Sequence, residues 1–223
     1  MPRFYIIAGA NGSGKTTASY SLLPELLDCR EFVNADEFAK SLSPFNPDSA
    51  SISASRFMVK KIHYLFGRRS DLCLETTLAT RSLVKMIRSA QEQGYFVTII
   101  YFWLRSPEIA IERVAARVAA GGHAVPEETI RRRYKTGLNY LFHDYMPICD
   151  KWILADNTDP PFRIIAEVNR KGLTVREMDL YLQIRKIAAE PVQGRRPDEG
   201  VLHGEPPPPE AYDGIPAFLD PAQ

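Results

Sequence analysis

Residues 9–16 read Gly-Ala-Asn-Gly-Ser-Gly-Lys-Thr, and they stand directly after the apolar run 4–8 and directly before a stretch with helical spacing. The pattern G-x-x-x-x-G-K-[ST] is met without a mismatch, in the strand-then-helix context that gives it meaning. Its glycines let successive backbone N–H groups turn inward around a phosphate. The helix that follows adds its own unpaired N–H groups and the positive end of its dipole. Phosphate contacts are therefore expected from Gly9, Ala10, Asn11, Gly12, Ser13, Gly14, Lys15, Thr16 and Thr17. Lys15 is expected to bridge the β- and γ-phosphates of a bound nucleotide, and the Thr16 hydroxyl to ligate Mg²⁺. The motif does not say what the nucleotide is used for, because one fold serves kinases, ATPases and GTPases.

Apolar runs of strand length recur at 4–8, 31–34, 72–75, 96–104 and 152–156, separated by helical spacing at 15–27, 48–66, 80–93, 107–120 and 126–142. That alternation predicts an α/β fold: a mostly parallel five-stranded sheet of the P-loop kinase type, flanked by helices. A hairpin over 163–178 and a short helix over 180–189 are expected to close the domain, assigned as 1–189. Residues 190–223 hold eight of the seventeen prolines and seven acids against two bases, and read as an extended, acidic tail.

The chain carries 28 basic and 27 acidic residues, so the tail's acidity leaves the rest with an excess of six bases. Such a body suits a phosphate-bearing ligand, but the excess is too small to argue for nucleic acid. Cys29, Cys73 and Cys149 lie far apart, with no pair or histidine at metal-ligand spacing, which predicts reduced thiols and a cytoplasmic setting. The longest apolar run is too short to cross a bilayer, and no targeting segment is read.

In open parallel sheets ligands sit beyond the carboxyl ends of the strands. Two acids fall there. Asp36 follows the second strand, where it serves either as a helix cap or as a functional carboxylate, and Glu75 ends the third strand with no capping need. Either suits a water-bridged metal or the proton of an attacking hydroxyl. Arg113 and Arg117 share a helix face, and Gly121-Gly122-His123 breaks the chain before a helix bearing Arg131, Arg132 and Arg133. An apolar stripe of Ile130, Tyr134, Leu138 and Leu141 puts Arg131 and Arg133 at its flanks and Arg132 nearly opposite. The segment 107–142 thus reads as an arginine lid over the phosphates, with Arg113, Arg117, Arg131, Arg133 and His123 as candidates.

Residues 9–17, Asn34-Ala35-Asp36-Glu37-Phe38, Glu75-Thr76-Thr77 and 113–134, with Arg-Val-Ala-Ala-Gly-Gly-His-Ala-Val-Pro at its centre, together resemble the zeta toxin-like P-loop kinases over about residues 3–160. The resemblance implies transfer of the γ-phosphate of ATP, with Mg²⁺, to the 3′-hydroxyl of UDP-N-acetylglucosamine or a related sugar nucleotide. It also implies a toxin with an antitoxin partner. By motif, Asp36 matches the family's catalytic base, Glu75 and Thr77 match its acceptor-binding Glu-x-Thr, and Lys15 and Thr16 match its phosphate loop. One of its two lid arginines falls at Arg113 or Arg117. The second stays open, because the Gly-Gly-His branch places His123 where a toxin arginine would stand. Other readings are a nucleoside, nucleotide or simple-sugar kinase, and a nucleotide-switched regulatory protein.

Overall fold

The computed structural model describes residues 1–25, 27–44, 46–169 and 172–192. The tail expected over 190–223 therefore lies, beyond residue 192, outside the described residues. Strands β1 (Arg3–Ala8), β2 (Phe32–Asn34), β3 (Leu72–Thr76), β4 (Phe96–Trp103), β5 (Lys151–Asp156), β6 (Arg163–Asn169) and β7 (Gly172–Val175) form one sheet in the order β2-β3-β1-β4-β5-β6-β7. The five strands read from apolar runs are consecutive and parallel. The terminal hairpin, β6 with β7, pairs antiparallel beside β5 and widens the sheet to seven strands.

Alternation along each strand divides the core. Phe4, Ile6 and Ala8 face one cluster of buried side chains, whereas Tyr5 and Ile7 face the other. β4 is buried at every position, as expected of a central parallel strand covered on both faces. Helices α1 (Lys15–Glu25), α2 (Ala35–Leu42), α3 (Pro47–Gly67), α4 (Leu83–Glu92), α5 (Pro107–Ala119), α6 (Glu127–Tyr140) and α7 (Met178–Ala188) make the crossovers and the closing segment. The predicted stripe on α6 is the buried one: Ile130, Tyr134, Leu138 and Leu141 are each at most 6% exposed. A π-helical turn, Leu141–Tyr145, extends α6.

Two boundaries differ from the expectation for a physical reason. α4 starts at Leu83 rather than residue 80, because 77–82 forms a loop in which Leu78 takes φ +58°. α2 forms a helix of its own because Asn34 caps it, its Oδ1 accepting from the N–H groups of Asp36 at 2.8 Å and Glu37 at 3.3 Å. Strand register then sets the site. Asn34 stands opposite Glu75, and Glu75 opposite Ile7, so the ends of β2, β3 and β1 meet where the phosphate loop leaves the sheet. No described helix is long and apolar enough to cross a membrane.

All three cysteines are free and buried. Burial pushes the Cys29 thiol up to about 11 and those of Cys73 and Cys149 well above their ordinary value, so little thiolate exists near neutrality. Ellman's reagent at pH 8 is expected to leave the native protein nearly unlabelled and to titrate three thiols after denaturation.

A candidate active site in two adjoining chambers

The loop from Gly9 to Gly14 turns through backbone conformations that glycine alone adopts cheaply. At Gly12 (φ +79°) an added Cβ would stand 2.5 Å from the Ala110 carbonyl oxygen, and at Gly14 (φ +83°) 2.4 Å from Asn157 Nδ2. The loop is thus gripped from outside. Asn157 Nδ2 donates to the Ser13 carbonyl at 2.7 Å, and Arg133 Nη1 donates to Asn11 Oδ1 at 3.0 Å. Inside it, the buried Lys15 Nζ donates to the Ala10 carbonyl at 2.8 Å. Burial pushes the Lys15 ammonium below its ordinary pKa, and the nearby charges of Glu75 and Asp36 oppose that shift.

Thr16, in the first turn of α1, donates its hydroxyl to the Glu75 carboxylate, whose oxygens lie 2.9 and 3.0 Å away. Burial raises the Glu75 pKa, while Lys15 and the Thr16 hydroxyl pull it back. This hydroxyl and carboxylate supply the hard oxygen donors that Mg²⁺ prefers, so the residues present fit the ion that the motif implies. Among the described residues no cluster of three or more His, Cys, Asp or Glu side chains offers a different metal site.

Asp36 is released from the capping duty that its position also allowed, because Asn34 performs it. Its exposed side chain stands in the first turn of α2, beside the cleft. Two cavities meet there. The larger, about 660 Å³, runs from Asp36 along Gly12, Gly14 and Thr16–Ala18 to Asn157 and Pro160–Phe162. The smaller, about 210 Å³, lies between Met58 of α3, the loop after β3 and Arg133 of α6. Lys15, Asn34, Asp36 and Glu75 line both.

The lid arginines do four different things. Arg113 lines the larger chamber, and its guanidinium donates to the Asn157 carbonyl at 3.0 Å and the Thr158 carbonyl at 2.6 Å. Arg117 lines it too and donates to the His123 carbonyl at 3.0 Å, with His123 beside it on the same wall. Arg133 bonds the phosphate loop and lines the smaller chamber. Arg131 is not brought to the cleft. It lines neither chamber, and its guanidinium meets Glu108 at 2.5 Å on the exposed side of α5 and α6, holding the Glu108 carboxyl near 2. The flank position that the helical period gave it holds, but an acid on the facing helix captures the charge.

Of the loop residues, Asn11, Gly12, Gly14, Lys15, Thr16 and Thr17 line the larger chamber. Gly9, Ala10 and Ser13 sit behind them; the Ser13 N–H donates to the Ala10 carbonyl, which closes the turn. Thr77 lines the smaller chamber, placed by two constraints. Leu78 behind it is fully buried at positive φ, an uncommon state for a bulky residue, with its N–H bonded to Thr76 Oγ1 at 3.1 Å. Gly137 of α6 leaves the room that the Thr77 carbonyl occupies. Asn157 and Phe162 are the functional candidates that sequence reasoning passed over. Asn157 follows β5 as Asp36 follows β2, so the same search of strand ends extends to it.

Comparison with known proteins agrees with this geometry. The family model described as zeta toxin matches residues 1–141. An uncharacterised protein of Haemophilus influenzae is 31% identical over 126 residues, covering 56% of this chain and 88% of that protein. A chain of the AvrRxo1-ORF1:AvrRxo1-ORF2 complex with sulphate ions superposes with a TM-score of 0.67 at 18% identity, over 82% of this chain. This chain spans 63% of that one, less than two thirds of its length. A chain of the PezAT chromosomal toxin–antitoxin system of Streptococcus pneumoniae gives 0.59 at 13% identity, covering 84% of each.

The close approach at Gly137 is testable. A Cβ there would stand 2.6 Å from the Thr77 carbonyl oxygen, so Gly137→Ala must displace backbone rather than a pliant side chain. It is expected to lower stability by about 1–3 kcal/mol in urea titration.

Proposed function

Because the chain belongs to the zeta toxin family, we propose that it is an ATP-dependent phosphotransferase acting on a hydroxyl of a small acceptor. The observation that carries this reading is the shared wall: one cation and two carboxylates, Lys15, Asp36 and Glu75, border both chambers. A donor phosphate in one and an acceptor hydroxyl in the other would meet across it.

On this reading the base and ribose of ATP occupy the end of the larger chamber near Pro161 and Phe162, and the triphosphate follows the loop from Gly12 to Thr16. Asp36 accepts the acceptor's proton as its oxygen bonds to the γ-phosphorus. The bond from that phosphorus to the β–γ bridging oxygen breaks, and ADP departs with the electron pair. Lys15 and Arg133 offset the charge on the transferring phosphoryl, where fixed donors in a water-poor site act strongly. Arg117 and His123 stand on the rim, next to the Gly121-Gly122 break, where closure would bring them to the phosphates. Thr16 and Glu75 would hold Mg²⁺, which when bound neutralises phosphate charge. Glu75 and Thr77 also face the acceptor.

UDP-N-acetylglucosamine is the first acceptor to test, since the family resemblance implies it. The toxin–antitoxin nature of the PezAT system supports a protein antitoxin as partner of this chain as well. Mass spectrometry after incubation with Mg·ATP is expected to show the acceptor heavier by one phosphate. Lys15→Ala is expected to cut transfer by at least about a hundredfold through lost charge stabilisation. Asp36→Asn is expected to keep ATP binding and lose about 10²–10⁴ in turnover, the usual worth of a general base. Undiminished turnover in Asp36→Asn would remove that carboxylate from the proton transfer.

A further inference from the structure

Arg113 stands on the wall of the larger chamber, yet both of its terminal nitrogens are spent on backbone carbonyls. We propose that it is a positioning residue: it acts on the donor nucleotide through Asn157, by fixing the turn after β5 whose side-chain amide sets the phosphate loop. The proposal rests on the nucleotide-binding part of the reading above and deepens it.

The clasp is the first argument. Nη1 donates to the Asn157 carbonyl at 3.0 Å and Nη2 to the Thr158 carbonyl at 2.6 Å, so one planar fork spans two consecutive residues. Such a fork fixes direction as well as distance, which a single ammonium group does not. The rest of the turn is held as closely. The Asn157 N–H donates to the carbonyl of Trp103, the last residue of β4, at 2.9 Å, and the Thr158 hydroxyl oxygen accepts from the Arg105 N–H at 2.9 Å. The buried Asp156 carboxylate accepts from the Thr158 N–H at 2.8 Å and from Arg163 of β6 at 3.2 Å. Tied in this way to β4, β6 and α5, the turn presents the Asn157 side chain to the loop from a rigid base.

What the amide does there is the second argument. Asn157 Nδ2 donates to the Ser13 carbonyl at 2.7 Å. The peptide between Ser13 and Gly14 is trans, so its carbonyl and its N–H point to opposite sides. Holding the carbonyl on Asn157 therefore turns the Gly14 N–H the other way, into the hollow of the loop, where successive N–H groups bind an anion. The loop needs that hold, because glycine at this position leaves the peptide free to rotate. The approach is close: a Cβ at Gly14 would stand 2.4 Å from Asn157 Nδ2. α5 thus reaches the loop twice, directly where the Ala110 carbonyl lies against Gly12 and, one turn later, through Arg113 and Asn157.

The test is ATP affinity, measured by isothermal titration calorimetry on the full chain with Mg²⁺, with adenosine as the probe that lacks phosphate. Asn157→Ala and Arg113→Lys are each expected to weaken ATP about tenfold, the scale of one lost hydrogen bond that leaves its acceptor unpaired, and to leave adenosine unchanged. The double variant is expected to bind ATP as the weaker single variant does, because the two residues act in series. Arg113→Lys keeps the positive charge, so wild-type ATP affinity in it would mean that Arg113 meets the phosphates as a charge, and would overturn the proposal. So would losses that multiply to about a hundredfold in the double variant, or an equal loss for adenosine. Asn157→Asp keeps the shape of the side chain but removes the donor, and carries the same test if Asn157→Ala does not fold; wild-type ATP affinity in it would likewise overturn the proposal. A wild-type protein that binds no ATP would end this proposal and the nucleotide reading together.

Discussion

Lys15 keeps its ammonium group at the floor of the cleft with 7% of the residue exposed, bonded to a carbonyl of its own loop. A buried cation is costly unless its surroundings answer it. Here the answer is partial: one carbonyl at contact distance, and the carboxylates of Glu75 and Asp36 acting through space. Neither carboxylate has a hydrogen bond to Lys15, and Glu75 is occupied with Thr16. The loop therefore holds a positive charge that is paid for by the fold and still able to receive an anion. The rest of the site follows from that residue. Its loop must bend tightly, which requires Gly12 and Gly14, and those glycines admit the neighbours, Ala110 and Asn157, that fix the loop in place.

The register of the sheet sets that local feature where the two chambers adjoin. With β1 between β3 and β4, the loop after β1 comes up beside the carboxyl end of β3, and β3 in turn beside β2. Glu75 and Asn34 are partners across the ladder, so the acid that holds Thr16 and the amide that caps α2 lie next to each other. Capping by Asn34 rather than Asp36 matters chemically. A carboxylate bonded to the N–H groups of its own helix would be held in its ionised form and turned inward, a poor proton acceptor. Shifting the cap two residues upstream leaves the Asp36 side chain at the cleft.

Much of this arrangement could be read from the chain, and the rest could not for identifiable reasons. Apolar runs located the parallel strands because a buried parallel strand has almost no other way to be written. The phosphate loop was legible because its requirements, turning glycines and a lysine at a set spacing, are local. That Asp36 and Glu75 would line the cleft was legible because both follow strands at the carboxyl edge of the sheet. What escaped depends on partners distant in sequence. Periodicity placed Arg131 and Arg133 alike, but Glu108 waits for one and Asn11 for the other, 23 and 122 residues away. Likewise nothing local at Asn157 announces a bond to Ser13, 144 residues earlier. The hairpin's place beside β5 was invisible for the same reason, since its own pattern specifies β6 against β7 and says nothing of the third strand.

These long-range contacts also tie most of the segment 107–142 to the cleft. The first half of α5 is tied down. Ala110 packs against Gly12, and Arg113 clasps two carbonyls after β5, next to the Asn157 amide that grips the phosphate loop. Moving that half would distort the glycine loop after β1. α6 is equally committed through Tyr134, whose buried hydroxyl donates to the Leu104 carbonyl at 2.7 Å, and through Arg133 on Asn11. Between them, residues 115–121 are exposed, and Gly121 sits at φ +85° with nothing near an added Cβ. Arg117 lies in that stretch, and its guanidinium donates to the carbonyl of His123, two residues beyond it. The contacts that fix α5 and α6 thus lie on either side of that exposed stretch.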